Sequence, residues 1–276
     1  MSSIYQALSE LEKNNESAAL CTVVKSEGST PRHVGSKMLV YSDGKFLGTV
    51  GGGEMESRVI KSALETLISG DAQTLSYTMA DPARGDPGVC GGTVEVFVEP
   101  ILPPAMIVVM GAGHVGKAVV HLAKWLGFRV TVSDDRAEFC NPEAVPGADA
   151  YYPVEMGELT EHLKVNRQTY IVITSRGSAI DAKGLPKLLE SEPAYIGVIG
   201  SRRRWLTTVK ALKEKGVSDE KIAQVHSPMG LELNAETPEE IAVSIIAEIL
   251  MVKDKGTGKQ MKTKQAEVQK SALSGQ

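Results

Sequence analysis

The spacing of apolar side chains divides the chain into two stretches with different periods. Ile4, Leu8 and Leu11 recur at helical spacing over 4–13, Ala18 to Val24 reads as a buried strand, and Glu27-Gly28-Ser29 marks a turn. Lys37 to Val50 alternates about Asp43-Gly44, a dipeptide that supplies the positive φ of a tight hairpin. Met55, Val59, Ala63 and Leu67 then repeat every four residues, which predicts an amphipathic helix over 54–69 stopped by Gly70-Asp71. A strand at 74–78 and a Pro/Gly-rich loop over 81–92 follow, and then Val94, Val96 and Val98 alternate with Thr93, Glu95, Phe97 and Glu99 as in a half-buried strand. Pro100-Ile101-Leu102-Pro103-Pro104 is the expected linker, because proline fixes φ and denies a ladder its donors.

Beyond it the pattern changes to continuous apolar runs. Strands are predicted at 106–110, 129–133, 170–175 and 195–200, alternating with helices at 114–126, 157–165, 179–190 and 202–215. That order implies a parallel sheet covered on both faces. Thr237-Pro238-Glu239-Glu240 opens a last helix, to about Lys253, with a capping threonine, a first-turn proline and a glutamate three residues on. The expected fold is α/β: a smaller α+β domain at 1–100, a Rossmann-like parallel-sheet domain at 104–253, and a disordered Lys/Gln/Gly/Ser-rich tail at 254–276.

Composition narrows the function. With 42% hydrophobic and 23% charged residues and a formal charge of −4, the 276-residue chain is an ordinary globular protein without the positive field that nucleic acid or an anionic membrane requires. No run approaches the ~18 apolar residues of a membrane span, and the first residues do not resemble an export signal. Cys21, Cys90 and Cys140 are odd in number and widely spaced, so neither a disulfide framework nor a zinc site is expected, and a reducing cytoplasm fits.

Two glycine-rich segments carry candidate chemistry. The strand 106–110 runs into Gly111-Ala112-Gly113-His114-Val115-Gly116 and then a helix, the context in which such a loop cradles a pyrophosphate. Asp134, at the end of the next strand, is placed to accept from a ribose hydroxyl, which favours NAD over NADP. Asp135 and Arg136 blur that choice, because an arginine accommodates a 2′-phosphate. His114 either faces a phosphate or is a solvated first-turn side chain. In the first stretch, Thr30 and Arg32 of Gly28-Ser29-Thr30-Pro31-Arg32 and the amides of Gly51, Gly52 and Gly53 ahead of a helix form either an anion cradle or merely a tight connection. Glu54 is ill placed beside a phosphate and suits a helix cap or a pterin amino group. Cys90, beside Gly91 and Gly92, has the exposure and free amides of a ligand or nucleophile, whereas Cys21 and Cys140 sit as small inert hydrophobes. His226, before Ser227-Pro228, is a candidate acid.

These segments resemble, in order, the xanthine dehydrogenase accessory family, XdhC/CoxI: Gly28 to Arg32, Gly48 to Glu54, Cys90-Gly91-Gly92, Gly111 to Gly116, Val130 to Arg136, Tyr195 to Arg202, and His226 to Gly230 through Thr237 to Ile241. The resemblance implies a homodimeric protein that binds molybdenum cofactor (molybdopterin) and protects it while a cysteine desulfurase adds the sulfido ligand. Delivery to a xanthine dehydrogenase-like molybdenum hydroxylase would follow. By position, Cys90 resembles the family's loop cysteine, implied to engage the molybdenum, and Gly111, Gly113 and Gly116 its phosphate loop. Two departures stand out: Thr174 to Asp181 replaces an expected histidine-rich segment, and Asn234 stands where glycine is usual, a residue that tolerates left-handed backbone. The alternatives are an NAD(P)-dependent oxidoreductase and a scaffold with both loops empty.

Overall fold

The computed structural model describes residues 3–78 and 91–261, and the chain divides into two compact units, Met1–Ala105 and Met106–Gln276. In the first, α1 (Ile4–Asn14) precedes β1 (Ala18–Glu27), β2 (Lys37–Tyr41), β3 (Phe46–Gly48), α2 (Gly53–Ser69), β4 (Gln73–Thr78) and β5 (Thr93–Ile101). The strands form an antiparallel sheet in the order β3-β2-β1-β5-β4. Helix α2 lays Met55, Val59, Ala63 and Thr66 on the face of this sheet that carries Cys21, Val23, Val96 and Val98. Gly70 ends the helix in the left-handed conformation, as the Gly70-Asp71 signal predicts.

The expected linker begins two residues late, because Pro100 and Ile101 belong to β5. Pairing of β5 with β4 stops at Val98, so beyond that point β5 has a neighbour only on the β1 side. A proline without an N–H is tolerated at such a half-open edge.

The second unit runs β6 (Met106–Met110), α3 (His114–Trp125), β7 (Arg129–Ser133), β8 (Ala150–Tyr152), α4 (Leu159–His162), β9 (Thr169–Ile173), α5 (Ser178–Leu188), β10 (Tyr195–Val198), α6 (Arg202–Glu214), α7 (Asp219–Ile222), β11 (Val225–His226) and α8 (Pro238–Lys253). Its strands are all parallel, in the order β11-β10-β9-β6-β7-β8. Chain order reverses between β6 and β9, the crossover at which a Rossmann sheet opens its crevice. Every residue of β6, β9 and β10 is buried, which explains their unbroken apolar runs.

Four features depart from expectation. β8, α7 and β11 were not predicted, and the helix expected at 157–165 is a 3-10 turn, Met156–Glu158, followed by four residues of α4. The α8 cap is as expected: Thr237 Oγ1 accepts the amide of Glu240, whose carboxylate accepts the amide of Thr237, each at 3.2 Å. Asn234 has φ +54°, so it takes the left-handed place expected of it. Of the tail expected to be disordered, 254–261 are described. There the amide of Gly256 donates to Met251 O at 2.8 Å, while 262–276 lie outside the described residues. No helix among the described residues is long and apolar enough to cross a membrane.

Candidate functional site

In the first unit three sequence motifs meet. Gly28 lies against Gly91 and Gly92: a Cβ at Gly28 would come within 3.2 Å of Gly92 Cα, and one at Gly92 within 2.7 Å of Glu27 O. A Cβ at Gly51 would stand 3.0 Å from Pro31 and overlap the end of Met55. The loops 28–32, 51–56 and 91–92 are therefore packed at a spacing only glycine allows. Thr30 is tied into its own turn, exchanging a 2.6 Å bond with Ser26 Oγ and donating to Arg32 O at 3.1 Å, while Arg32 points outward, exposed. Open space stands where side chains would be at Gly52, Gly53 and Gly91. Cys90 lies outside the described residues.

The expectation of bare amides at 51–53 needs correction at Gly51. Glu56 bends back from the first turn of α2 and accepts from Thr49 Oγ1 and from the amides of Val50 (3.2 Å) and Gly51 (3.4 Å). The chain's own carboxylate thus sits where an anion was expected. Burial pushes the Glu56 carboxyl up, but these bonds outweigh it and hold it below its ordinary range. Glu54 does not cap the helix; it pairs with Arg58 one turn on, at 3.0 Å.

In the second unit Gly111 has φ +113°, and a Cβ at Gly116 would overlap Gly111 O, so the loop and α3 pack backbone to backbone. Gly113 caps α3 with no side-chain hydrogen bond and has open space above it. Val115 is half-buried, and His114 is exposed. Thr174 Oγ1 donates to Gly111 O at 2.7 Å, tying the end of β9 to the loop.

Asp134 is not free for a ribose hydroxyl. Its Oδ2 accepts from the Ala112 amide (2.9 Å) and Arg136 Nη2 (2.8 Å), and its Oδ1 from Arg136 N (3.0 Å) and Nε (2.9 Å). Burial raises its carboxyl, and these four donors reverse the sign. Arg136 stacks over Phe139 at 4.1 Å, and Asp135 pairs with Arg176 at 2.7 Å. Among the described residues no cluster of three or more His, Cys, Asp or Glu could hold a metal ion.

Residues 107–249 match the XdhC Rossmann domain, and residues 11–78 match the XdhC and CoxI family. The chain belongs to the XdhC/CoxI family. Among its relatives, the uncharacterized protein YqeB of Escherichia coli is 37% identical over 92% of this chain, which spans about half (47%) of YqeB. Two others are 24% identical: a probable xanthine dehydrogenase subunit of Bacillus subtilis, over 92% of this chain and 98% of its own length, and the molybdenum cofactor insertion chaperone PaoD of E. coli, over 87% and 85%. A solved structure of a xanthine dehydrogenase from Bacillus halodurans aligns over 95% of this chain and 98% of its own, with TM-score 0.50 and 21% identity, a likeness of fold.

In this XdhC/CoxI chain two buried acids escaped the sequence reading. Asp181, fully buried, accepts from Ser175 Oγ and from Arg204 Nη2 at 2.7 Å, in the segment where histidines were expected. Glu248, 9% exposed, accepts from Tyr195 Oη (2.6 Å), the Gly230 amide (2.6 Å) and His226 Nδ1 (2.9 Å). Burial pushes the Glu248 carboxyl up, yet the three bonds together hold it low. Being ionised, it only accepts, so His226 carries its proton on Nδ1. Each acid interrupts an apolar helical stripe, beside Leu185 and Leu188 or Ile245 and Ile249, which is a legible sign of a buried polar partner.

Proposed function

We propose that the chain binds molybdenum cofactor, shelters it while a cysteine desulfurase supplies sulfur, and hands it to a xanthine dehydrogenase-like molybdenum hydroxylase, working as a homodimer without turnover chemistry of its own. The observation that carries this reading is the packing of the three motif loops, 28–32, 51–56 and 91–92, with Arg32 exposed and open space at Gly52, Gly53 and Gly91. Arg32 offers a bidentate donor to a phosphate, and Cys90, next to Gly91 in the chain, supplies the thiolate for the metal. The glycine loop Gly111–Gly116 takes a phosphate of a nucleotide such as NAD(P). When bound, the cofactor supplies a molybdenum centre on a phosphorylated pterin; the residues named do no more than hold it. The name of PaoD, a molybdenum cofactor insertion chaperone, agrees with this role, and that of the B. subtilis relative with a link to xanthine dehydrogenase.

The test is to purify the protein from cells that make molybdopterin and to oxidise the bound fraction to a fluorescent pterin. Native protein is expected to yield pterin and Cys90→Ala much less, with unchanged melting. Equal retention removes Cys90 from the site, and absence of pterin from the native protein refutes the proposal.

A further inference from the structure

At the carboxyl ends of β6, β7 and β9 the second unit opens a crevice of about 80 Å³. Val154, Met156 and Ile180 line it with an apolar wall suited to a flat heterocycle, and Gly111 and Gly113 border it on the phosphate side. Asp134, Asp135, Arg136 and Arg176 also line it, and they decide what a ribose would meet there.

A carboxylate reads a ribose by accepting from its two hydroxyls; a guanidinium reads a phosphate on the same ribose. Each oxygen of Asp134 already accepts two donors, which fills its lone pairs. To read the diol it must release Arg136, exchanging a bidentate ion pair for hydroxyl bonds in which only the acceptor is charged, and leaving the guanidinium without its carboxylate. The exchange is unfavourable. A phosphate asks for less: Arg136 can offer Nη1, the nitrogen left over from its pair with Asp134, without breaking that pair. Among the described residues Arg176 is held only by Asp135, and both side chains are about half exposed (50% and 46%). A surface pair of this kind is weak, so Arg176 is free to turn to a phosphate while the Asp135 carboxylate swings into solvent.

We infer that the crevice selects a nucleotide with a phosphate on its ribose against one with a free diol, and that Arg136 and Arg176 make the selection. The inference rests on the reading that this loop takes a phosphate-bearing ligand.

NAD⁺ and NADP⁺ differ only in that phosphate, and calorimetry on the full chain compares them. NADP⁺ is expected to bind at least about tenfold tighter. Arg176→Ala should weaken NADP⁺ and leave NAD⁺ unchanged. Arg136→Leu, which frees Asp134, should weaken NADP⁺ and strengthen NAD⁺; Arg176→Ala, altered only at an exposed side chain, keeps the test open if the Leu variant does not fold. Binding of NAD⁺ as tight as NADP⁺ overturns the selection while leaving the phosphate loop intact. Absence of heat from both at millimolar concentration overturns the loop's role as well.

Discussion

Glu248→Gln keeps the shape of a buried side chain and removes its charge, which isolates what the carboxylate contributes. The carboxylate accepts three bonds of 2.6–2.9 Å while 9% exposed. Bonds to a buried charged acceptor contribute about 1.5–3 kcal/mol each, and a glutamine has one oxygen and turns an NH₂ toward a neighbouring donor. Allowing for bonds that persist in neutral form, the loss should be about 2–3 kcal/mol, a fall in melting temperature of roughly 5–10 °C for a unit of this size. The sign with pH follows from the depressed carboxyl. Its stabilisation is complete above the unfolded-state value, about 4.3, and disappears as pH falls through the lower folded value. Calorimetry from pH 7 down to 3 should therefore show wild type and variant converging below about pH 4. A gap under about 1 °C at pH 7, or one that widens on acidification, would refute the reasoning.

Asp181→Ala leaves the Arg204 guanidinium, 22% exposed, without its carboxylate and should cost about 2–4 kcal/mol in denaturant titrations, with Arg204→Met in the same chain restoring most of it; strictly additive losses would deny the coupling. Gly116→Ala drives a methyl into Gly111 O and should lower stability by about 1–3 kcal/mol and abolish nucleotide heats, whereas an unaltered melting curve would show that the loop has room. Burial pushes the Cys21 thiol up to about 12 and raises that of Cys140. Iodoacetamide at mildly alkaline pH should accordingly label neither until the chain unfolds, and fast labelling of either in the native protein would contradict the burial.

Much of the fold is legible in the sequence because it is periodic or local. The α2 stripe, the buried runs of β6, β9 and β10, the glycine loop and the Thr237 capping box each declare themselves within a few residues. Strands β8 and β11 hold three and two residues and cannot show a period; they exist only because β7 and β10 offer them an edge. The site is less legible, because hydrogen-bond partners are not sequence neighbours. Asp134 is satisfied from Ala112, 22 positions away, and the amides at Val50 and Gly51 are taken by Glu56, an acid that spacing alone did not connect with them. The histidine missing from 174–181 is replaced by a serine, aspartate and arginine network assembled from the end of β9, α5 and α6.

The strand that carries the glycine loop is laddered on both sides, to β7 and to β9, whereas the outermost strands are stubs. Amide exchange should accordingly be slowest at 106–110 and fastest at 150–152 and 225–226, so that the glycine turn is anchored in the least mobile part of the sheet. Changes in ligand preference can then accumulate on the rim, at positions such as 135, 136 and 176, without loosening the hinge-free platform beneath them.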